Sequence, residues 1–207
     1  MLQLYGRANS SNVMKVIWLL EEMKLPYERL DAGLQFGVVD TPEYRHMNPN
    51  GVVPTLKDGD FILWESNAIL RYLASTNPAG SRFWPGDPHA RAHVDQWMDW
   101  QQTVVNTPQS VVFQGLIRQT VAERNMAAIS AAAEKVGRAY AILDAALVHR
   151  AFIAGHELSL ADFTLGIHVH RWFNFPLVRL DLPHVRAWYD RLLARPAFAT
   201  HVAGPLT

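Results

Sequence analysis

The chain has no cysteine among its 207 residues. This absence excludes disulfide bonds, thiolate metal ligands, a Cys-x-x-Cys redox pair and a cysteine nucleophile supplied by the protein. Any sulfur chemistry must therefore use a sulfur atom that arrives with a ligand. The nine histidines show no zinc-type spacing. His168 and His170 are only two residues apart, which places them on nearly opposite sides of a helix. We expect no metal centre.

Net charge is also absent. Lysine plus arginine equals aspartate plus glutamate at 19 each, so no overall field favours nucleic acid or an anionic membrane. No apolar run approaches the roughly 18 residues that a membrane span needs. Residues 1–11 lack the basic start and apolar stretch of a signal peptide. We therefore expect a cytoplasmic protein with neither a nucleic-acid nor a membrane partner.

The most informative segment is 48–69, which reads NPNGVVPTLKDGDFILWESNAI. Pro54 opens an apolar strand where its missing N–H does least harm, and Asp58-Gly59 predicts a hairpin. Glu65 and Ser66 then precede a helical apolar pattern. Exposed helix N–H groups and a hydroxyl can bind the carboxylate of an α-amino acid group, while Glu65 binds its ammonium. The segment predicts a site for a small zwitterion.

The chain divides into two halves by pattern. Residues 1–77 alternate strand and helix signals in the order βαβαββα, which predicts a small mixed sheet with flanking helices. Residues 78–88 read as a linker. Residues 89–207 show no convincing strand, and Pro108 should kink or break the first helix there. The predicted helices run from His89 to about Arg118, Ala122 to His149, Ser159 to Phe173 and Pro183 to Ala194.

A capping box is the clearest local signal in the second half. Ser159 stands at an N-cap, and Asp162 lies three residues later in place of the usual Glu. Because such caps stabilise helices, we interpret Asp162 as a structural residue and not as a catalytic acid.

Three segments together resemble the cytosolic glutathione S-transferases. They are NPNGVVPTL at 48–56, WESNAI at 64–69 and SLAD at 159–162. The resemblance spans essentially the whole chain and is to bacterial, theta- or nu-like members with a Ser/Asn active-site loop. It implies a thioredoxin-like glutathione-binding domain at 1–77 and an all-α domain at 89–207.

The resemblance also implies roles for particular residues. Pro54 would be the cis residue, and the backbone of Val53 would pair with the cysteinyl part of glutathione. Glu65 and Ser66 would hold the γ-glutamyl end. Several classes carry Lys or Gln where this chain has Val52, so Gln35 or a basic side chain elsewhere is a candidate for the glycyl carboxylate.

The catalytic group should lie between the first strand and the first helix, in the loop GRANSSN at 6–12, with Val13 beginning the helix. By resemblance, Ser10 matches the catalytic serine of the theta and zeta classes, and Asn12 matches the asparagine of the bacterial nu class. Ser10 is the first candidate and Asn12 the second, with Ser11 counted among the glutathione-binding residues. The alternative is a purely structural role for these residues as helix caps, positions that Ser and Asn often occupy. Tyr5 falls out of phase for catalysis and is expected to pack in the core.

The resemblance further implies a homodimer and a pocket for a small hydrophobic electrophile between the domains. Phe113 and Trp172 are the pocket candidates, although aromatic residues at helical spacing usually pack inward.

The leading function is therefore conjugation of the glutathione thiolate to apolar electrophiles, as in detoxification, with glutathione as co-substrate. A second reading is glutathione-dependent disulfide reduction, as in the nu class. A third is a non-enzymatic interaction module on the same fold, since fold does not fix chemistry.

Overall fold

The computed structural model of the protein covers residues 1–207. The chain forms two compact units, Met1–Ser81 and Arg82–Thr207. No helix in it combines the length and apolar character needed to cross a membrane.

The first unit contains a four-stranded sheet and three helices, which confirms the predicted order βαβαββα. The strands lie in the order β2-β1-β3-β4, with β1 parallel to β2 and the other pairs antiparallel. Leu4 at the centre pairs with Arg29 on one side and Leu56 on the other. The elements are β1 Leu2–Tyr5, α1 Ser11–Met23, β2 Tyr27–Leu30, α2 Pro42–Met47, β3 Thr55–Asp58, β4 Phe61–Trp64 and α3 Ser66–Thr76.

The hairpin between β3 and β4 differs by one residue from the prediction. Asp58 pairs with Phe61, so the two turn residues are Gly59 and Asp60 and not Asp58-Gly59. Gly59 adopts φ 60° while Asp60 stays at negative φ, as in a type II′ turn. The glycine therefore takes the first central position, because only there does this turn demand positive φ.

The second unit is helical, as predicted. Helix α7 is its centre: every residue from Leu160 to His170, together with Trp172, is buried. A helix buried on all sides needs apolar residues around its circumference, which explains why α7 lacks a polar face. The helices are α4 Pro88–Trp100, α5 Asn106–Phe113, α6 Met126–Leu147, α7 Leu160–Asn174, α8 Pro183–Leu193 and the unpredicted α9 Pro196–His201.

Pro108 does not break the long helix. Helical backbone continues from α4 into α5 through a π turn at Gln101–Val105, and a second π turn follows at Gln114–Arg118. A proline ring clashes with the carbonyl four residues earlier, here that of Val104. The wider π turn contains that carbonyl, so the helix passes the proline without ending.

Candidate functional site

The chain turns sharply between β1 and α1. Gly6 has φ 153°, and a Cβ there would lie 2.4 Å from Val13 Cγ2, so only glycine allows this close approach. Helix α1 begins at Ser11, with Ser10 as N-cap. The prediction that Val13 starts the helix was wrong by two residues. Ser11 and Asn12 consequently lie in the first helical turn, where backbone N–H groups have no intrahelical partner.

Ser10 is an N-cap residue whose hydroxyl does not cap. The residue is buried, its backbone N–H donates to the Arg7 carbonyl at 3.2 Å, and its side chain makes no capping hydrogen bond. A Ser at this position usually accepts from the second or third N–H of the helix. The hydroxyl is therefore uncommitted to the helix, and the positive end of the α1 dipole lies beside it.

Asn12 and Ser66 meet, although 54 residues separate them. Ser66 begins α3, and its hydroxyl donates to Asn12 Oδ1 at 3.3 Å. Lys15 Nζ donates to Ser66 Oγ at 3.5 Å and to Asn67 Oδ1 at 3.3 Å. We call these four residues, Asn12, Lys15, Ser66 and Asn67, the α1–α3 polar cluster. The structure thus brings the N-termini of two helices together, with a lysine ammonium between them.

Sequence reasoning did not single out Lys15 or Asn67. Lys15 is 0% exposed, which is rare for lysine unless it is paired. The sequence did contain a signal for Lys15, because this residue lies three positions after Asn12 and therefore on the same face of the helix. The apolar neighbours Val13 and Val16 also mark a lysine within a buried stretch.

Glu65 is held in an unusual backbone conformation. Its φ is 73°, it stands as N-cap of α3, and its side chain is exposed. A non-glycine residue at positive φ costs about 1–3 kcal/mol and is concentrated at functional sites. The conformation places a carboxylate directly before Ser66 at the helix N-terminus.

The loop before β3 is braced by buried polar side chains. The Val53–Pro54 bond is cis, as the family resemblance implied. The carbonyl of Val52 accepts hydrogen bonds from Tyr44 OH at 2.8 Å and Asn48 Nδ2 at 2.9 Å. Thr55 Oγ1 also lies 2.8 Å from Tyr44 OH, within hydrogen-bond reach. The carbonyl of Val52 is thereby held by two buried side chains, which restrains the peptide bond that joins Val52 to Val53.

Other predicted residues occupy different surroundings. Gln35 is exposed on a short 3₁₀ turn, Leu34–Phe36, and the structure gives it no hydrogen bond to the α1–α3 polar cluster. Tyr5 is half-buried, and its ring meets the edge of Tyr44 at 6.0 Å between centroids.

The two electrophile-pocket candidates belong to the helical unit. Phe113 is 5% exposed, and the Arg171 guanidinium lies 3.9 Å above its ring. Trp172 is 2% exposed and packs edge-on against Tyr140 at 5.5 Å. Trp172 also lines a cleft of the helical unit, together with residues of α6 and of the segment after α7.

These features define the chemistry available in the first unit. Two helix N-termini, a buried ammonium and several hydroxyl and amide groups together favour an anionic ligand. The exposed carboxylate of Glu65 at the edge can pair with a ligand cation.

Comparisons with known proteins agree with this arrangement. Residues 1–75 match the family profile described as glutathione S-transferase, N-terminal domain, and residues 93–196 match glutathione S-transferase, C-terminal domain. Glutathione S-transferase GstB of Escherichia coli K12 is 39% identical over 209 residues, with 100% of each chain covered. Glutathione S-transferase 3 of Zea mays is 33% identical, over 98% of this chain and 93% of the relative.

A solved structure gives the same result. It is the theta-class glutathione S-transferase from the citrus canker pathogen Xanthomonas axonopodis pv. citri, determined with glutathione bound. It matches with a TM-score of 0.95 and 43% identity, over 100% of this chain and 99% of that one.

A thioredoxin-like α/β unit followed by a helical unit is the glutathione-transferase fold, and the predicted fold class is confirmed. The chain belongs to the glutathione S-transferase family and is a transferase enzyme. The predicted family is thereby confirmed as well.

Proposed function

We propose that this enzyme binds glutathione, stabilises its thiolate and transfers it to an apolar electrophile. The sulfur would attack an electrophilic carbon and form a C–S bond. The leaving group would depart with its electron pair, and the thiol proton would pass to solvent. The observation that carries the proposal is the meeting of the N-termini of α1 and α3 through Asn12 and Ser66, beside the uncommitted hydroxyl of Ser10.

The binding roles follow from the chemistry of each group. Ser66 and the first N–H groups of α3 would bind the γ-glutamyl carboxylate. The ammonium of Lys15, which contacts Ser66 Oγ, would add positive charge to this site. Glu65 would bind the γ-glutamyl ammonium. The backbone of Val53, next to the cis Pro54, would pair with the cysteinyl part.

The glycyl end of glutathione has fewer candidate partners. Ser11, in the first turn of α1, and Gln35, on its exposed 3₁₀ turn, complete the proposed binding set. Gln35 is the weaker of these because its side chain is exposed and the structure shows no hydrogen bond from it to the α1–α3 polar cluster.

Thiol activation would come from Ser10, with Asn12 as the second candidate. A free thiol has a pKa near 8.5, and lowering it by two units requires about 2.7 kcal/mol. One charge-assisted hydrogen bond from a hydroxyl, together with the helix dipole, can supply an amount of that order. Asn12 Oδ1 already accepts from Ser66, so its amide Nδ2 is the group left to donate.

The electrophile would contact Phe113 and Trp172 in the helical unit. We propose small hydrophobic electrophiles as the substrates and detoxification as the physiological role. We propose residues 1–77 and 89–207 as the two domains, with 78–88 as linker, in a cytoplasmic homodimer. Exposed apolar side chains on the long helix, Val104 and Val111, are compatible with such an interface.

A titration of thiolate absorbance for bound glutathione tests the proposal. We expect the pKa of the bound thiol to fall about two units below its free value, and aryl-halide turnover to accompany the shift. Tight binding without a shift, together with robust disulfide reduction, would favour the reductase reading. Absence of glutathione binding would contradict the proposal altogether.

Replacing Glu65 separates a binding role from a structural one. Glycine tolerates φ 73°, so Glu65→Gly should leave the free energy of unfolding within about 1 kcal/mol of wild type. The loss of one charge-assisted contact should weaken glutathione binding about tenfold. Calorimetric titration and urea unfolding measure the two quantities. Unchanged affinity in the glycine variant would remove Glu65 from the site.

A further inference from the structure

Lys15 lies in the interior of the first unit, where α1 packs against α3. Its neighbours Val13 and Val16 are fully buried as well, so the lysine stem runs through an apolar stretch of α1. Lysine is almost never fully buried unless its ammonium is paired. Here the ammonium reaches Ser66 and Asn67, which are the first two residues of α3. A full positive charge therefore lies beside the first turn of α3.

The ammonium also fixes the direction of the hydrogen bonds in the α1–α3 polar cluster. An ammonium group donates and cannot accept, so Asn67 must turn its carbonyl oxygen toward Lys15, at 3.3 Å. Ser66 Oγ must likewise accept from Lys15, at 3.5 Å, and the hydroxyl proton of Ser66 is given to Asn12 Oδ1. Lys15 thus orients both side chains at the start of α3.

Helices α1 and α3 both begin without a side-chain cap. Neither has a capping hydrogen bond from its N-cap residue, and neither has an acidic residue in its first turn. Helices α2, α4 and α6, by contrast, are capped by the side chains of Thr41, Asp87 and Asn125. Because negative charge is stabilising at a helix N-terminus, the start of α3 favours an anion that arrives with a ligand.

We propose that Lys15 makes the N-terminus of α3 select a carboxylate over a neutral group, and so determines the preference for the γ-glutamyl carboxylate. This role rests on the proposed function, in which Ser66 and the first N–H groups of α3 bind that carboxylate. A helix N-terminus carries only about half a positive charge and also binds neutral oxygen atoms. The buried ammonium adds a full charge, which attracts a carboxylate but gives a neutral group little. Lys15 is a positioning residue, since it acts through Ser66 and Asn67.

Two ligands that differ only in this carboxylate test the role of Lys15. S-hexylglutathione carries the carboxylate. The second ligand, in which 4-aminobutanoyl replaces the γ-glutamyl group, lacks it but keeps the ammonium, the rest of the peptide and the hexyl chain. Neither ligand has a free thiol, so activation of the sulfur does not enter the measurement. Calorimetric titration gives both dissociation constants, and their ratio measures the preference for the carboxylate.

Lys15→Met should weaken binding of S-hexylglutathione about tenfold and leave binding of the 4-aminobutanoyl ligand within about twofold. Two charges separated by one hydroxyl group interact with an energy of this order in a protein. Lys15→Gln, which removes the charge but keeps a donor for Asn67, is a second neutral variant with the same expected loss. Lys15→Arg keeps the charge, so its preference should stay within about threefold of wild type.

Lys24→Met is the matched control, because it makes the same substitution at an exposed position of the same helix, its C-cap. It should leave both dissociation constants unchanged. Circular dichroism checks that each variant is folded. Equal weakening of both ligands in the folded Lys15 variants would overturn the role, because Lys15 would then only support the fold of the site. A wild-type preference in the neutral Lys15 variants would overturn it as well.

The wild-type protein separates this role from the proposed function. If wild type bound the two ligands equally, the N-terminus of α3 would not select a carboxylate, and the role of Lys15 would be overturned while glutathione binding stood. If wild type bound neither ligand, the proposed function itself would fail.

Discussion

Asp162→Ala is expected to lower the free energy of unfolding by about 3–5 kcal/mol, because it strands several buried donors at once. The carboxylate is 0% exposed. Oδ1 accepts from Ile153 N at 3.0 Å and Trp188 Nε1 at 2.9 Å. Oδ2 accepts from Ser159 N at 2.8 Å and Ser159 Oγ at 3.0 Å. One side chain thus joins the start of α7, the preceding loop and α8.

The effect is larger than that of an ordinary helix cap, which contributes about 1 kcal/mol. Alanine would leave all four donors without an acceptor in a dry interior, and no water could reach them without repacking. Urea unfolding followed by circular dichroism measures the loss. Glutathione affinity, measured at urea concentrations below the unfolding transition, should be unchanged, since Asp162 has a structural role. A folded variant that had lost affinity would contradict that role.

Asp144→Ala is the matched control. Asp144 is another carboxylate that caps a helix from outside it, accepting from His184 N at 2.9 Å and Val185 N at 2.8 Å at the start of α8. It is only half-buried and holds two donors, so water can replace it. Its substitution should cost about 1 kcal/mol. Equal losses in the two variants would refute the argument from burial.

The contribution of Asp162 should also depend on pH. Burial raises the pKa of its carboxyl from 3.8 to about 6, although the four donors favour the ionised form. Between these values the folded protein binds the proton more tightly than the unfolded chain does. The stability gained this way is complete below the unfolded value and is lost as the pH rises through about 6. The stability difference between wild type and Asp162→Ala should therefore be larger at pH 5 than at pH 7.5.

Fold and capping were predictable because they depend on local rules. The βαβαββα order followed from hydrophobic periodicity and turn residues, and the box formed by Ser159 and Asp162 followed from a three-residue spacing. The long helix illustrates the limit of such rules. Proline chemistry predicts a disturbance at Pro108, yet it cannot tell a break from a π turn, because tertiary packing decides between them.

The site was only partly predictable, since its geometry depends on contacts between distant segments. The sequence marks Asn12 and Ser66 separately, but their hydrogen bond spans 54 residues. The sequence places Lys15 on the same face of α1 as Asn12, but its hydrogen bonds to Ser66 and Asn67 form only when α3 packs against α1. Likewise, the cleft that Trp172 lines is bounded by residues of α6, of α7 and of the segment after α7. No single-segment pattern encodes these meetings.

Ser10→Ala is expected to reduce kcat/KM for an aryl halide about a hundredfold at pH 6.5, the typical effect of removing one donor from a developing or resting anion. The proposed hydroxyl donates to the glutathione sulfur and favours its thiolate. Without it, the pKa of the bound thiol should rise by up to about two units, towards the free value near 8.5. Absorbance titration of bound glutathione measures this shift directly.

The pH profile distinguishes lost thiol activation from a distorted site. At pH 9 most of the thiol ionises without help, so the deficit of Ser10→Ala should shrink to less than about tenfold, whereas a distorted site would stay slow at every pH. Ser11→Ala is the control, as it removes a neighbouring hydroxyl from the first turn of α1 and should leave the thiol pKa unchanged.

Asn12→Ala tests the second candidate under the same conditions. If Asn12→Ala raised the pKa of the bound thiol while Ser10→Ala left it unchanged, the group that activates the thiol would be the Asn12 amide, which Ser66 orients. Wild-type rates in both variants would mean that neither side chain activates the sulfur.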